Sequence, residues 1–195
     1  MAARLSKEQC WEKNREIGIV SIRDTRFIFK SNDHDSTSSC NLAGDPRRSN
    51  FGSENRTCTI VIPDERLAKR LQKFGVNVKV TENRKDDPEF VPEYFMAVQA
   101  RYHEKPNEWR NPVIRTYKEH ELPTELDREE LSIIDEGKTG RVKVQLNPSS
   151  REDGGVTMYI QFMDVELLST TNPFDDDYHY PQDLDDDEPE ELPFL

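Results

Sequence analysis

The chain has 195 residues and a formal net charge of -12, from 39 Asp and Glu against 27 Lys and Arg. Its length fits one domain better than two, and its hydrophobic fraction of 33% is low for a chain that is packed throughout. It contains no apolar run that could span a membrane, and its N-terminus does not read as a secretory signal. We therefore expect a soluble cytoplasmic protein, part of which is not packed.

The sequence carries no motif typical of an enzyme. Phosphate-binding loops, GxSxG and HExxH are all missing, and the four histidines lie far apart. Cys10, Cys40 and Cys58 fit neither a disulfide framework nor a zinc site, so reduced thiols are expected. The sequence thus predicts a non-catalytic protein that needs no metal and no cofactor.

The negative charge is concentrated at the C-terminal end. Residues 172–195 contain 10 acidic side chains and no Lys or Arg, which leaves 29 acids against 27 bases in the rest of the chain. Residues 41–120 are locally basic, with 15 Lys and Arg against 12 Asp and Glu. A nearly neutral body with a basic middle therefore precedes an acidic tail.

That tail, residues 169–195, is predicted to be disordered, because a proline-containing block of like charges cannot bury enough apolar surface to fold. Its last four residues are nevertheless apolar, which a purely solubilising tail does not need. We interpret the tip as a docking motif for a partner protein, formed by Asp187, Glu188, Glu190, Glu191, Leu192, Pro193, Phe194 and Leu195.

Two strands are predicted in the N-terminal third. An arm, residues 1–16, precedes residues 18–30, which are rich in β-branched and aromatic side chains and predict a strand with a bend near Asp24. Residues 31–53 are rich in Ser, Asn, Asp and Gly and predict an extended loop. Residues 57–62 predict the second strand.

In the middle of the chain, helical and strand patterns alternate. Apolar residues recur at helical spacing in residues 63–74, which predicts a helix that Gly75 ends. Alternating apolar residues predict strands at 76–80 and 94–103, with a polar turn at 82–92 between them.

The last part of the body predicts one more helix between strands. Residues 111–118 predict a strand. Residues 124–136 predict a short helix that begins with a capping box of Thr124 and Asp127. Residues 141–146 and 156–168 predict a closing hairpin.

The predicted fold is mainly β, with six or seven strands and two short helices in residues 17–168. A small barrel closes such strands without leaving open edges, and the OB-fold is one barrel of this kind. We therefore expect an OB-fold-like antiparallel barrel between the N-terminal arm and the disordered acidic C-terminal tail.

The basic middle of the chain combines cations with aromatic side chains, which are what a groove for single-stranded nucleic acid requires. Residues 94–103 alternate between an apolar face and a face too polar for a core. Trp109 and Phe51 lie among charged or turn residues and are expected to be exposed, whereas Phe162 is expected in the core. The candidate binding residues are Arg48, Phe51, Arg56, Lys79, Gln99, Arg101, Trp109, Arg110, Arg115 and Tyr117.

Several short motifs occur in a characteristic order. They are RSNFG at 48–52, IVIPD at 60–64, FGVNVK at 74–79 and VQARY at 98–102, followed by the helix at 131–134 and the acidic tail. This order resembles the OB-fold single-stranded-DNA-binding proteins of tailed bacteriophages.

The resemblance implies a barrel that binds single-stranded DNA without sequence preference during phage DNA replication or recombination. It also implies a tail tip that recruits other replication or recombination proteins, in the cytoplasm of the infected bacterium. The protein would act as a monomer or weak homodimer, without contact with membranes.

Two other functions are compatible with the composition. The chain could be an acidic protein-interaction module or a DNA-mimic inhibitor, whose negative charge is itself the binding surface. A nuclease that uses Mg²⁺ on carboxylates is less well supported, because no convincing constellation of carboxylates is present. Segregation of the acids into the tail favours DNA binding, since a mimic should carry them on its folded face.

Overall fold

A computed structural model of the chain describes residues 4–28, 42, 47–48, 53–81, 88–104 and 107–168. The predicted disordered tail, most of the predicted loop at 31–53 and part of the turn at 82–92 lie outside these residues. None of the helices formed by the described residues is long and apolar enough to cross a membrane.

Three α-helices are present in this part of the chain: α1 Lys7–Ile17, α2 Glu65–Lys73 and α3 Ser132–Glu136. The same residues form nine β-strands: β1 Val20–Thr25, β2 Arg47–Arg48, β3 Ser53–Ile62, β4 Val78–Val80, β5 Tyr94–His103, β6 Val113–Tyr117, β7 Thr124–Glu125, β8 Thr139–Ser150 and β9 Val156–Leu167.

Five of the strands pair in a closed circuit. Along the sheet the order is β1, β8, β9, β5 and β3, and Phe27, just after β1, pairs with Ile60 of β3 and completes the ring. Backbone hydrogen bonds from Ile28 to Thr59 and from Val61 to Arg26 accompany this contact. The mainly β architecture is confirmed, and the circuit is consistent with an OB-like fold.

The sheet is mixed, whereas the sequence predicted an antiparallel barrel. β9 runs parallel to β5, with Gln99 opposite Tyr159, and parallel to β6 as well. The other four contacts of the circuit are antiparallel. A closed ring with an odd number of strands cannot be antiparallel throughout, so five strands require one parallel pair.

The core lies inside this circuit. Met96, Val98, Ala100 and Tyr102 of β5 point inwards and are buried, as the alternation predicts. Leu131 and Ile134, at the start of α3 and within it, are fully buried at 0% exposure. The intervening residues of β5 face outwards, so the polar face predicted for this strand is an outer face of the barrel.

The segment before α3 differs from the prediction. Thr124 is not helical, because it pairs with Thr116 of β6 in the short strand β7. The capping box forms three residues later, where the Asp127 backbone N–H donates to Glu130 Oε2 at 2.9 Å. Residues that the sequence pattern assigned to a helix therefore pair instead with the edge of β6 that does not contact β9.

The N-terminal arm forms α1, which makes three α-helices where two were predicted. Ser6 and Gln9 cap the helix reciprocally, with distances of 2.8 and 3.2 Å. Ile17 at its C-terminal end is buried in the core. Capping and the docking of one end therefore stabilise a helix whose sequence has no strong apolar stripe.

Candidate nucleic-acid interface

The outer face of the β3–β5 pair is polar. Cross-strand register places Asn55 opposite Arg101 and Thr57 opposite Gln99. These four side chains are partly buried and point away from the core, because their neighbours on β5 point into it. The parallel contact of Gln99 with Tyr159 extends this face onto β9.

Arg101 lies at the centre of this face and stacks on an aromatic ring. Its guanidinium carbon is 4.0 Å from the centroid of the Tyr159 ring. Its Nε donates to Asn55 Oδ1 at 3.1 Å, and its guanidinium also contacts the Tyr159 hydroxyl. None of the carboxylates in the described part of the chain pairs with Arg101, and its partners there are the neutral Asn55 amide and the Tyr159 hydroxyl.

Arg115 stacks in a similar way but is electrically compensated. Its guanidinium carbon lies 4.7 Å from the centroid of the Phe162 ring. It also forms a bidentate pair with Asp164, with distances of 2.7 and 3.0 Å. That hydrogen bonding raises the pKa of Arg115 above its usual value. The β6–β9 end of the face therefore presents an ion pair, unlike the Arg101 end.

Another pair of a cation and an aromatic ring lies beyond the end of β5. Trp109 is 76% exposed, as predicted, and the guanidinium carbon of Arg110 is 4.8 Å from its ring centroid. The pKa of His103 is lowered, mainly by burial and further by Arg101 and Arg110. His103 is therefore mostly neutral at pH 7.

Arg56, another candidate, lies on the opposite side of the sheet. Its Nε is 2.5 Å from Glu54 Oε1, and its Nη1 donates to the carbonyl oxygens of Leu42 at 2.6 Å and Arg128 at 3.0 Å. Only 10% of its side chain is exposed. DNA contact by Arg56 stays a prediction, and its surroundings indicate a structural role.

The remaining candidates are distributed around the barrel. Lys79 is exposed on β4, at the edge of the sheet, and Tyr117 is half-buried on β6. Burial is the main cause that raises the pKa of Tyr117. The backbone of Arg48 pairs with Glu54 in β2. Phe51 and the tail residues Asp187, Glu188, Glu190, Glu191, Leu192, Pro193, Phe194 and Leu195 lie outside the described residues.

Tyr159, Phe162 and Asn55 belong to the face but were missed from the sequence. Phe162 is outside the core, contrary to expectation, because Gln161 is an extra residue in β9. Gln145 pairs with Phe162 and the next residue pairs with Ile160, so a bulge skips Gln161. In the sequence this is visible as a phase shift of the apolar alternation, from Met158 and Ile160 to Met163 and Val165.

The described residues were also compared with the side-chain clusters that bind metal ions. No group of three or more His, Cys, Asp or Glu side chains among them is placed to hold a metal ion. The face itself presents planar cations and rings, neutral amides and one ion pair.

Comparison with known proteins gives structural neighbours only. No protein-family model and no curated protein matches the sequence. The fold is similar to the C-terminally truncated single-stranded DNA-binding protein from bacteriophage Enc34, with a TM-score of 0.46 and 13% identity over 80% of this chain and 89% of that one. It is also similar to gp2.5, a single-stranded DNA binding protein encoded by bacteriophage T7, with a TM-score of 0.38 and 12% identity over 86% and 96%.

Both neighbours are single-stranded-DNA-binding proteins of phages, the group that the sequence resembles, and to this extent the resemblance is confirmed. The TM-scores and identities are too low for the likeness alone to assign a function.

Proposed function

We propose that this protein binds single-stranded DNA without sequence preference on the outer face of β3, β5 and β9. The observation that carries the proposal is the Arg101–Tyr159 pair. It combines a guanidinium 4.0 Å from an aromatic ring centroid with hydrogen-bond partners that are neutral. Such a cation keeps its attraction for a phosphate, since none of the carboxylates that the structure describes competes for it.

The neighbouring groups supply the other interactions that a single strand requires. Bases stack on aromatic rings and on guanidinium planes whatever their identity, which makes such binding tolerant of sequence. Tyr159, Phe162 and Trp109 offer rings, and Arg101, Arg110 and Arg115 offer guanidinium planes. Asn55 and Gln99 add neutral donors and acceptors for the sugar–phosphate backbone. The names of the two structural neighbours agree with this proposal.

The wider role that we propose is DNA replication or recombination of a phage, in the cytoplasm of the infected bacterium. The protein would act as a monomer or weak homodimer without catalysis and without a cofactor. The acidic tail would serve two purposes. Its apolar tip would recruit replication or recombination proteins, and its 10 acids would compete with DNA for the cationic face, because tethering keeps their local concentration high.

One experiment tests both binding and the tail. Full-length protein, a form lacking residues 172–195 and a form lacking only 192–195 are titrated against fluorescent oligothymidylate at low and moderate salt. We expect affinity to fall as salt rises, because bound cations displace counterions from phosphates. The larger deletion should tighten binding most at low salt, where screening is weakest. The smaller deletion keeps all the acids and should leave affinity unchanged.

The outcomes separate the candidate functions. If the full-length and truncated proteins both fail to bind at low salt, the proposal is wrong and the acidic interaction module or DNA mimic takes its place. If both bind equally at each salt concentration, the tail does not compete for the face. Partner recruitment is read separately, as loss of co-purifying replication proteins when only residues 192–195 are removed.

A further inference from the structure

Helix α1 carries an exposed tryptophan that the proposed DNA face does not include. Trp11 is 63% exposed, and the guanidinium carbon of Arg15 lies 5.1 Å from its ring centroid. Lys7 precedes Trp11 by four residues, so Lys7, Trp11 and Arg15 lie along one stripe of the helix. The stripe is exposed along its length. An aromatic ring is thus presented to solvent between two cations.

Contacts on the buried side of α1 and on one flank fix the helix to the barrel. Lys13 Nζ donates to the carbonyl of Gly154 at 2.7 Å, in the turn between β8 and β9. Asn14 Oδ1 accepts from the backbone N–H of Ser150 at 2.7 Å and from its hydroxyl at 2.8 Å. Ile17 is buried in the core. Trp11 therefore has a defined position relative to β8 and β9.

The Ser150 anchor of α1 lies on β8, the strand next to β9 in the sheet. Tyr159, on whose ring Arg101 stacks, pairs with Asn147 of β8. Ser150, the anchor of α1, is three residues further along β8, which is about 10 Å at the usual rise of a strand. Trp11 precedes Asn14 by three residues, about 4.5 Å along the helix axis. A single-stranded DNA that leaves the Tyr159 ring along β8 would therefore reach α1 within a short distance.

The surroundings of Trp11 fit nucleic acid better than a protein partner. The residues three and four positions away on the helix are Lys7, Glu8, Asn14 and Arg15, all charged or polar. The core of a protein–protein interface is depleted in charged residues, whereas a single-strand platform combines a ring with cations. Glu8 lies on the flank of the stripe, so phosphates would approach from the side of Lys7 and Arg15.

We propose that Trp11, with Lys7 and Arg15, forms a second stacking platform that extends the single-stranded DNA site from the barrel onto α1. This inference rests on the proposed function. It implies that short oligonucleotides occupy the barrel face alone, while longer ones also reach α1. Removing the Trp11 ring should therefore weaken the binding of long strands and leave that of short strands unchanged.

The test compares two oligothymidylates, of about 6 and about 20 nucleotides, which lie near the lower end and beyond the upper end of the roughly 4–16 nucleotides that one OB-fold covers. Affinities are measured for the full-length protein and for Trp11→Ala and Trp11→Phe. Loss of one stacked base should lower affinity for the long strand by about fivefold or more in Trp11→Ala, whereas Trp11→Phe keeps a ring and most of the affinity. In a Trp109→Phe background Trp11 is the remaining tryptophan, and its emission should be quenched by the long strand only.

The results distinguish this inference from the proposed function. If the full-length protein binds the long strand and Trp11→Ala binds it equally well, the platform on α1 is wrong while the barrel site stands. If the protein binds neither strand, both proposals fall. If Trp11→Ala changes the sedimentation of the free protein and not its DNA affinity, α1 is an interface between copies, and the platform is again overturned.

Discussion

Arg101 and Arg56 form an instructive pair, because the same two strands present them on opposite faces of the sheet. Arg101 on β5 lies opposite Asn55, and Arg56 on β3 lies opposite Ala100, one step along the register. Each guanidinium lies near a tyrosine ring, Tyr159 at 4.0 Å and Tyr102 at 5.7 Å from the centroid. Proximity to an aromatic ring is therefore common to Arg101, which we propose binds DNA, and to Arg56, whose surroundings indicate a structural role.

The two arginines differ in the groups that contact their guanidinium. Arg56 is held by Glu54 and two backbone carbonyls inside the rim of the barrel, beside Tyr102, whose pKa burial raises to about 12. Within the described ranges, the partners of Arg101 are the Asn55 amide and Tyr159. A buried ion pair is costly to break, because its loss leaves an unpaired buried charge, whereas an uncompensated charge at the surface remains available to a phosphate.

The largest predicted effect is on stability, from Arg56→Ala. Its loss leaves Glu54 and two carbonyl groups without their main donor, so the free energy of unfolding should fall by roughly 3 kcal/mol. Arg101→Ala is the matched control and should leave that free energy within about 0.5 kcal/mol of the wild-type value. Urea denaturation measures both. A stable Arg56→Ala protein that fails to bind DNA would reverse the assignments of the two arginines.

Asn55→Asp should give Arg101 the kind of partner that Arg56 has. The new carboxylate would lie where the amide oxygen now is, 3.1 Å from Arg101 Nε. It would compensate the guanidinium and repel phosphates, so affinity for oligothymidylate should fall about tenfold, or roughly 1.4 kcal/mol. Asn55→Ser adds no charge, so its affinity for oligothymidylate is expected to fall less than that of Asn55→Asp. Equal affinities for wild type and Asn55→Asp in fluorescence titrations would remove Arg101 from the DNA contact.

Asp164→Asn is the reciprocal change on the compensated part of the face. It frees Arg115 from a bidentate carboxylate. Binding of single strands should tighten by about fivefold, which is roughly 1 kcal/mol, and the dependence of affinity on salt should steepen. Asp64→Asn removes the same charge at the cap of α2, where Asn also caps well, and should change neither quantity. Weaker binding by Asp164→Asn would show that the ion pair itself contributes to the site.

The smallest predicted effect depends on pH. Burial, with Arg101 and Arg110, holds the pKa of His103 below 6.5, so its charge appears only as pH falls below that value. DNA affinity should therefore be flat between pH 7 and 8 and rise below about pH 6.5, when a protonated His103 adds a cation beside the strand. His103→Gln should abolish that rise, whereas His120→Gln, at an exposed turn, should keep it. A rise that survives His103→Gln would assign the titration to another group.

Alternation along strands made much of this molecule predictable. Residues 94–103 form the strand expected, with Gln99 and Arg101 on its outer face, and the final hairpin forms as β8 and β9. The outward positions of Tyr159 and Phe162 depend on a bulge and on a parallel pairing between strands far apart in sequence. Local patterns do not contain such pairings, so rings contributed by β9 could not be assigned to the face.

The inward position of Arg56 has a similar cause. Charged residues near the start of a strand usually face solvent, and the sequence does not show that Glu54 and the carbonyl of Arg128 converge on this side chain at the rim. The same holds for Thr124, whose pairing with β6 competes with a helical pattern of its own segment. In each case a contact with another element of the fold overrides the local preference.

The most direct test of the DNA face is an NMR titration of the ¹⁵N-labelled full-length protein with oligothymidylate. The backbone amides of Asn55, Gln99, Arg101 and Tyr159 should shift as DNA is added, and the perturbed residues should map to the outer face of β3, β5 and β9. Amides of α2, which packs on the core through Ala68 and Leu71, should change little. Perturbation confined to α2 or to the β1–β8 side, with none at Arg101 or Tyr159, would contradict the account.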